Sequence, residues 1–284
     1  MKQVISWVNG SRASSVDVSE RAVQYGDGLF ETIRIRDSKP EFLQRHMQRL
    51  VEGCGRLKFP AVDWDVVSSE LSAVAVEYKD AVMKLILSRR CAARGYRLTP
   101  DQQATRIVSV SPLPQWPSDP ARSGIRARIC DARLSAQPLL AGIKHLNRLE
   151  QVLARSEWDD AAIAEGLTLN DGDQVIEGTM TNVFMVSNQV LVTPDLSSCG
   201  VAGVMRSVIL DLAKDLGIET EVRPVSLADV RAAQEVLVCN SLIGVWPVVA
   251  IDQLGAFECG PLTRQLQAVL SQCDTAADGD WYSW

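Results

Sequence analysis

Gly142-Ile143-Lys144-His145-Leu146-Asn147-Arg148-Leu149-Glu150 is the stretch on which the reading of this 284-residue chain turns. It sets one lysine just ahead of a helical pattern running from Leu146 to Trp158. Thirty-three residues after Lys144 comes Glu177, which opens Glu177-Gly178-Thr179-Met180-Thr181-Asn182. A primary amine and a downstream carboxylate in these settings are what a pyridoxal 5'-phosphate (PLP) site needs. The amine forms a Schiff base with the aldehyde, and the carboxylate keeps the pyridine nitrogen protonated so that the ring accepts electrons. Spacing alone does not establish such a site, because most lysines are solvated surface charges.

Outward from this stretch, strands and helices are mixed. Ahead of it, Thr32 to Arg36 alternates as a strand, Asp37-Ser38-Lys39-Pro40 turns, and Glu41-Phe42-Leu43 reads as the returning strand of a hairpin. Met47, Leu50, Cys54 and Leu57 lie at helical spacing within Gln44 to Lys58, and Val62 to Tyr78 gives a second amphipathic pattern. Val82 to Ser88, Arg106 to Val110 and Ile125 to Cys130 read as strands, as does the N-terminal run to Trp7. After it, strands are expected at Glu165 to Leu169, Gln174 to Ile176, Asn182 to Val186, Val190 to Thr193 and Glu235 to Cys239. Val204, Val208, Leu212 and Leu216 mark one face of a helix that Gly217 ends, and Leu262 to Leu270 forms a late helix. Hairpins are as frequent as strand–helix alternation, which favours an α+β class over a doubly wound parallel sheet.

Composition narrows the function classes. Hydrophobic content of 46 % and charged content of 23 % are those of an ordinary globular protein with volume for a sizeable core. A net charge of −6 argues against nucleic acid or an anionic membrane surface as partner. No stretch approaches the ~20 apolar residues needed to span a bilayer, and the N-terminus lacks the apolar core of a signal peptide. Seven scattered cysteines without a C-x-x-C pair, and only two histidines, give no zinc site and suggest buried thiols in a reducing compartment. The cytoplasm is therefore the expected location. Four prolines in the nine residues from Pro112 to Pro120 exclude regular structure and mark a stiff interdomain connector.

Seven stretches then carry a family likeness. In order they are Tyr25-Gly26-Asp27-Gly28-Leu29-Phe30-Glu31-Thr32, His46-Met47-Gln48-Arg49-Leu50, Arg94-Gly95-Tyr96, Gly142 to Leu153, Glu177 to Phe184, Gly203-Val204-Met205-Arg206 and Cys239-Asn240-Ser241. Together, over nearly the whole chain, they resemble the fold-type IV PLP enzymes, the group containing branched-chain and D-amino-acid aminotransferases and 4-amino-4-deoxychorismate lyases. The resemblance implies a two-domain α+β fold. Residues 1–111 would form a small N-terminal domain, 112–120 a linker, and 121–284 a larger cofactor-binding domain with a barrel-like sheet. It also implies a homodimer, with the cofactor between domains and part of the pocket supplied across the subunit interface.

By the same resemblance Lys144 is the Schiff-base lysine and, once displaced by a substrate amine, the general base and acid. Glu177 faces the pyridine nitrogen, and Arg49 binds the phosphate. The amides of Val204 and Met205, after the turn Gly200-Val201-Ala202-Gly203, hold phosphate oxygens at a helix N-terminus. Ser241, with Asn240 beside it, adds a phosphate contact. Thr32 is expected near the cofactor as a proton relay, Asn182 as support for its loop, and His145 as a packing or hydrogen-bonding residue. No metal is implied.

Two features point within the group to the lyases. The run from His145 to Leu153 resembles theirs, where branched-chain aminotransferases carry a small glycine-rich sequence ending in tyrosine. Residues 81–100 also hold Lys84, Arg89, Arg90, Arg94 and Arg97 with no acidic residue, a patch suited to a small-molecule substrate bearing two carboxylates. Arg89, Arg94 and Tyr96 are accordingly expected to bind substrate, although Cys91-Ala92-Ala93 and Arg97 depart from the more glycine-rich family pattern. The expected activity is conversion of 4-amino-4-deoxychorismate to 4-aminobenzoate and pyruvate, a step of folate biosynthesis. The alternatives are a branched-chain or D-amino-acid aminotransferase on the same fold and, less favoured, a non-catalytic PLP-binding protein.

Overall fold

A computed structural model describes residues 4–90, 95–99, 102–116 and 119–273. The chain divides into two compact units, Met1–Gln115 with Ile143–Arg148, and Trp116–Gly142 with Leu149–Trp284. The change of unit between Gln115 and Trp116 falls inside the proline-rich stretch.

The first unit is built on one antiparallel sheet. Its strands are β1 (Ile5–Val8), β2 (Ser11–Arg12), β3 (Gly28–Arg36), β4 (Lys39–Pro40), β5 (Asp80–Arg89) and β6 (Ala104–Ser111), in the order β2-β1-β6-β5-β3-β4. β3 pairs with β5 along its whole length, from Gly28 opposite Ser88 to Arg36 opposite Asp80. Its alternation decides what the site receives. Leu29, Glu31, Ile33 and Ile35 are buried, whereas Phe30, Thr32 and Arg34 are half-exposed on the other face. Helices α1 (Arg21–Tyr25), α2 (Leu43–Arg56) and α3 (Trp64–Ala75) complete the unit. α2 lies close over β3, since a Cβ on Gly53 would come within 2.8 Å of Leu29. The second hairpin strand is shorter than expected. Only Lys39 and Pro40 pair with β3, because Phe42 takes a left-handed conformation (φ 52°) and starts α2 at Leu43.

The second unit holds a mixed nine-stranded sheet. It comprises β7 (Ile125–Leu134), β8 (Ile163–Asn170), β9 (Val175–Gly178), β10 (Asn182–Ser187), β11 (Val190–Pro194), β12 (Thr220–Arg223), β13 (Glu235–Asn240), β14 (Gly244–Ile251) and β15 (Gly255–Ala256). The order is β12-β11-β10-β13-β14-β7-β8-β9, with β15 on β14. Edge strand β9 also approaches β10 and β11, so the sheet curls back on itself in the barrel-like manner expected. Its core includes Ile125, Leu167, Val183, Met185, Val236, Trp246 and Val248. Strand β14 was not anticipated, because Pro247 sits in its middle. It is tolerated where the parallel ladder to β7 begins one residue later, at Val248, and then shifts register by Ala250.

Four helices join this sheet, α4 (Pro120–Ser123), α5 (Leu149–Arg155), α6 (Val204–Asp215) and α7 (Leu227–Ala232), followed by α8 (Pro261–Cys273) near the end. α6 ends as the sequence suggests, at Gly217 with φ 67°. α5 is shorter than the Leu146–Trp158 pattern implied. Residues 144–146 are instead extended within the first unit, where Phe30 N–H donates to Lys144 O (2.9 Å) and Leu146 N–H to Gly28 O (3.0 Å). Among the described residues, no helix is long and apolar enough to cross a membrane.

Candidate active site

Within the first unit, Lys144 is fixed from both sides along the backbone. His145 bridges to Leu29, and the two hydrogen bonds to Gly28 and Phe30 flank that bridge. The half-buried Lys144 side chain then lies over the Phe30 ring, its Nζ 4.5 Å from the ring centroid. Thr32 shares the Phe30 face of β3. Close approach explains Gly28, where a Cβ would meet Leu87 O at 2.4 Å and a Leu146 methyl at 2.6 Å.

On the other face of β3, Glu31 is fully buried and gathers two residues of α2. Arg49 Nε donates to its Oε1 (2.8 Å) and Arg49 Nη2 to its Oε2, while His46 Nδ1 lies 2.6 Å from Oε2. Burial opposes the charge on Glu31. The Arg49 guanidinium and the His46 ring outweigh it and hold the carboxyl down at about 2. Burial depresses His46, with Arg49 and Lys144 adding to the effect against Glu31, so the ring is neutral at pH 7. An ionised carboxylate only accepts, so His46 carries its proton on Nδ1. Its Nε2 is then a buried acceptor with no hydrogen-bond partner among the described residues. His145 is likewise neutral, pushed down to about 4 by burial and by Arg148, whose Nη2 donates to His145 Nε2 (2.6 Å). That bond occupies the lone pair a proton-transfer role would need.

The structure corrects the reading of Arg89. This arginine is 2 % exposed, and its donors serve Asp27, Lys58 O (2.7 Å) and Leu57 O (2.7 Å). Asp27 also accepts from the equally buried Arg21 (2.7 Å), which reaches on to Gly95 O (2.7 Å). Counting charges over residues 81–100 missed this acidic partner, which lies 62 positions before Arg89. Tyr96 is exposed, with its ring 5.1 Å from that of Tyr25. Arg94 lies outside the described residues.

Within the second unit, Glu177 is buried at the end of β9, and its Oε2 accepts from Val201 N–H (2.8 Å). Asn182 secures the same turn from a second direction. Its Nδ2 donates to Val201 O (2.8 Å) and its Oδ1 accepts from Gly203 N–H (3.0 Å). Gly142 adds a third tie, donating to Gly200 O and accepting from Ala202 N–H, both at 2.9 Å. The turn delivers α6 with Gly203 at its N-cap and no side-chain cap, and with Val204 and Met205 buried in its first turn. Glycine is required twice here. Gly200 has φ +84°, and a Cβ on Gly203 would stand 2.0 Å from Asn182 Oδ1. Asn240 serves its own turn, accepting from Leu242 and Ile243 N–H (2.8 and 3.0 Å) and donating to Met180 O (3.1 Å). Ser241 follows it, half-buried.

Two of the buried glutamates that hold predicted site segments, Glu31 and Glu165, had no role in the sequence reading. Glu31 had a visible signal, a charged residue between Leu29 and Ile33 on the inward face of an alternating strand, which demands a partner. Glu165, 1 % exposed, accepts from the hydroxyls of Thr179 (2.6 Å) and Thr181 (2.8 Å) and from Thr179 N–H (3.0 Å), fixing the turn after Glu177.

The amino-transferase class IV family profile matches residues 28–251. The chain belongs to that family. Among curated relatives of this class IV chain, the aminodeoxychorismate lyase of Vibrio harveyi is 38 % identical, over 93 % of this chain and 99 % of its own length. The crystal structure of 4-amino-4-deoxychorismate lyase from Pseudomonas aeruginosa is 46 % identical, with a TM-score of 0.91 covering 94 % of this chain and 98 % of that one. Branched-chain aminotransferase from Escherichia coli stands further off in sequence, 25 % identical with a TM-score of 0.87, covering 99 % and 97 %. The class IV fold, α+β with a smaller antiparallel sheet and a larger curled one, is thereby shared by lyase and aminotransferase neighbours alike.

Proposed function

We propose that this chain is a PLP-dependent lyase that converts 4-amino-4-deoxychorismate to 4-aminobenzoate and pyruvate. The observation that carries the reaction class is the gradient in likeness. Identity reaches 46 % and 38 % with these two lyases and is 25–30 % with branched-chain aminotransferases of the same family.

The side chains fit the cofactor. A lysine held by its backbone against β3, a turn whose glycines admit no Cβ, and an α6 N-terminus without a side-chain cap are the donor set that an aldehyde and a phosphate require. When bound, PLP supplies the aldehyde that takes the substrate amine and a ring that draws electrons from the adjacent carbon. Glu177 holds the proton on the ring nitrogen. Arg49, the amides of Val204 and Met205, and Ser241 hold the phosphate, with Asn240 shaping the turn that presents Ser241. Lys144 Nζ removes the proton from the amine-bearing ring carbon of the substrate. It returns that proton to the methylene of the departing enolpyruvyl group as the C–O bond breaks, giving pyruvate and an aromatic ring. Thr32, on the Phe30 face, relays the proton. Arg94 and Tyr96 bind substrate carboxylates.

We place the enzyme in the cytoplasm as a homodimer. Leu149, Val152 and Leu153 form an apolar face on α5, each at least 60 % exposed, and a second copy is the surface that would cover it. Light scattering at micromolar concentration checks the mass. The activity is tested by incubating purified protein with chorismate, glutamine and an aminodeoxychorismate synthase. Product above the synthase-only control is the expected result, and its absence sinks the lyase reading. Amine transfer from branched-chain amino acids or D-alanine to 2-oxoglutarate in place of that product would establish the aminotransferase instead.

A further inference from the structure

We propose that Glu31 is a positioning residue for cofactor phosphate: it fixes the plane of the Arg49 guanidinium, and His46 holds Glu31 in turn. The inference rests on the reading of Arg49 as the phosphate arginine and goes one step behind it.

The geometry separates Glu31 from an ordinary core ion pair. Both carboxylate oxygens are engaged by the same guanidinium, Oε1 by Nε and Oε2 by Nη2, a two-point contact that sets orientation as well as distance. The carboxylate cannot swing away, because it sits on the inward face of β3 with no exposed surface and His46 Nδ1 pins Oε2. His46 and Arg49 are one turn apart on α2, so the helix presents both to one acceptor. Glu31 also follows Phe30, whose N–H holds the backbone of Lys144 and whose ring carries its ammonium. A single strand segment therefore ties the amine that takes the aldehyde to the carboxylate that aims the phosphate cation.

Charge and orientation make opposite forecasts here. If Glu31 acted only as a charge, its removal would leave the surroundings of Arg49 more positive, and an anion would bind more tightly. If it acts by orientation, its removal releases the guanidinium and the anion binds less tightly.

The test compares apoenzyme affinity for PLP with that for pyridoxal, which lacks the phosphate, by equilibrium dialysis and cofactor fluorescence. For Glu31→Gln, PLP is expected to bind about 10-fold more weakly while pyridoxal changes by less than about 2-fold. Tighter PLP binding, or equal losses for both ligands, overturns the proposal. Arg49→Lys keeps the charge without the fork and needs no change in the buried carboxylate. It should lose most of the phosphate preference, and full retention of that preference also overturns the proposal. Arg49→Ala separates the two levels. If it leaves the preference intact, the phosphate role of Arg49 is wrong, whereas a loss in Arg49→Ala without one in Glu31→Gln removes only the role of Glu31.

Discussion

Two buried glutamates, Glu31 in the first unit and Glu165 in the second, show two ways of building a site out of one residue type. Glu31 is met by the Arg49 guanidinium and the His46 ring N–H, and its carboxyl is held at about 2 against the penalty of burial. Glu165 is met by threonine hydroxyls and backbone amides, and burial wins, pushing its carboxyl up from the ordinary carboxylate range. Partner type, not depth, decides the direction in which each is shifted. At Glu31 a helix is held by charge, and at Glu165 a loop is held by hydroxyl and amide donors. A charge-built scaffold is stiff in orientation but fails when one partner is lost. A hydroxyl-and-amide scaffold tolerates neutral replacement.

The largest effect should come from the side chain with no substitute in either scaffold. Lys144→Ala is expected to lower turnover by at least about 1,000-fold and to remove the visible absorbance of bound cofactor, while the thermal midpoint of the apoenzyme stays nearly unchanged. Loss of absorbance without loss of turnover would break the assignment.

Next comes the direct contrast. Glu31→Gln should destabilise by about 3 kcal/mol at pH 7, because the Arg49 guanidinium loses the charge that compensates it. Glu165→Gln should cost about 1 kcal/mol, since an amide still serves the threonine hydroxyls. The pH dependences run in opposite directions. A depressed carboxyl stabilises the fold above its unfolded value of 4.5 and loses that contribution as pH falls toward 2, so the Glu31→Gln penalty should shrink over that interval. A raised carboxyl stabilises most at acid pH and loses its contribution as pH rises past 4.5, so the Glu165→Gln penalty should shrink in the other direction. Urea midpoints from pH 3 to 8 decide it, and parallel slopes would erase the comparison.

A smaller effect is expected at Gly203→Ala. The added methyl collides with Asn182 Oδ1 and should cost about 1–2 kcal/mol, with weaker PLP binding measured by dialysis. The smallest is His145→Gln. The ring is already neutral and its Nε2 already engaged, so the pH profile of kcat should keep its shape and kcat should change by less than about 3-fold.

The chain pattern made most of this architecture legible before any coordinates. Hydrophobic alternation in β3, the apolar runs of β5 and β10, the apolar stripe of α6 and the glycine that ends it are local properties, and each appears where expected. What escaped depends on partners far along the chain. Pro247 disguised a central strand, because only the register of its neighbours shows that the missing N–H is tolerated. Residues 144–146 read as approaching a helix, yet they pair with β3 more than a hundred positions earlier. Arg89 looked like part of an open basic patch until Asp27 was brought beside it. The role of Glu31 needed the same long-range pairing of strand and helix.

The extended backbone at Lys144 also has a consequence for biogenesis. The first unit is not continuous in sequence, for residues 143–148 belong to it although its other residues end at position 115. A nascent chain released from the ribosome only as far as Gln115 lacks the segment that pairs with Gly28 and Phe30, so that flank of β3 stays unpaired until some thirty further residues emerge. Lys144 thus reaches its folded setting late in synthesis, and the first unit is complete only after the proline-rich stretch and β7 have been translated.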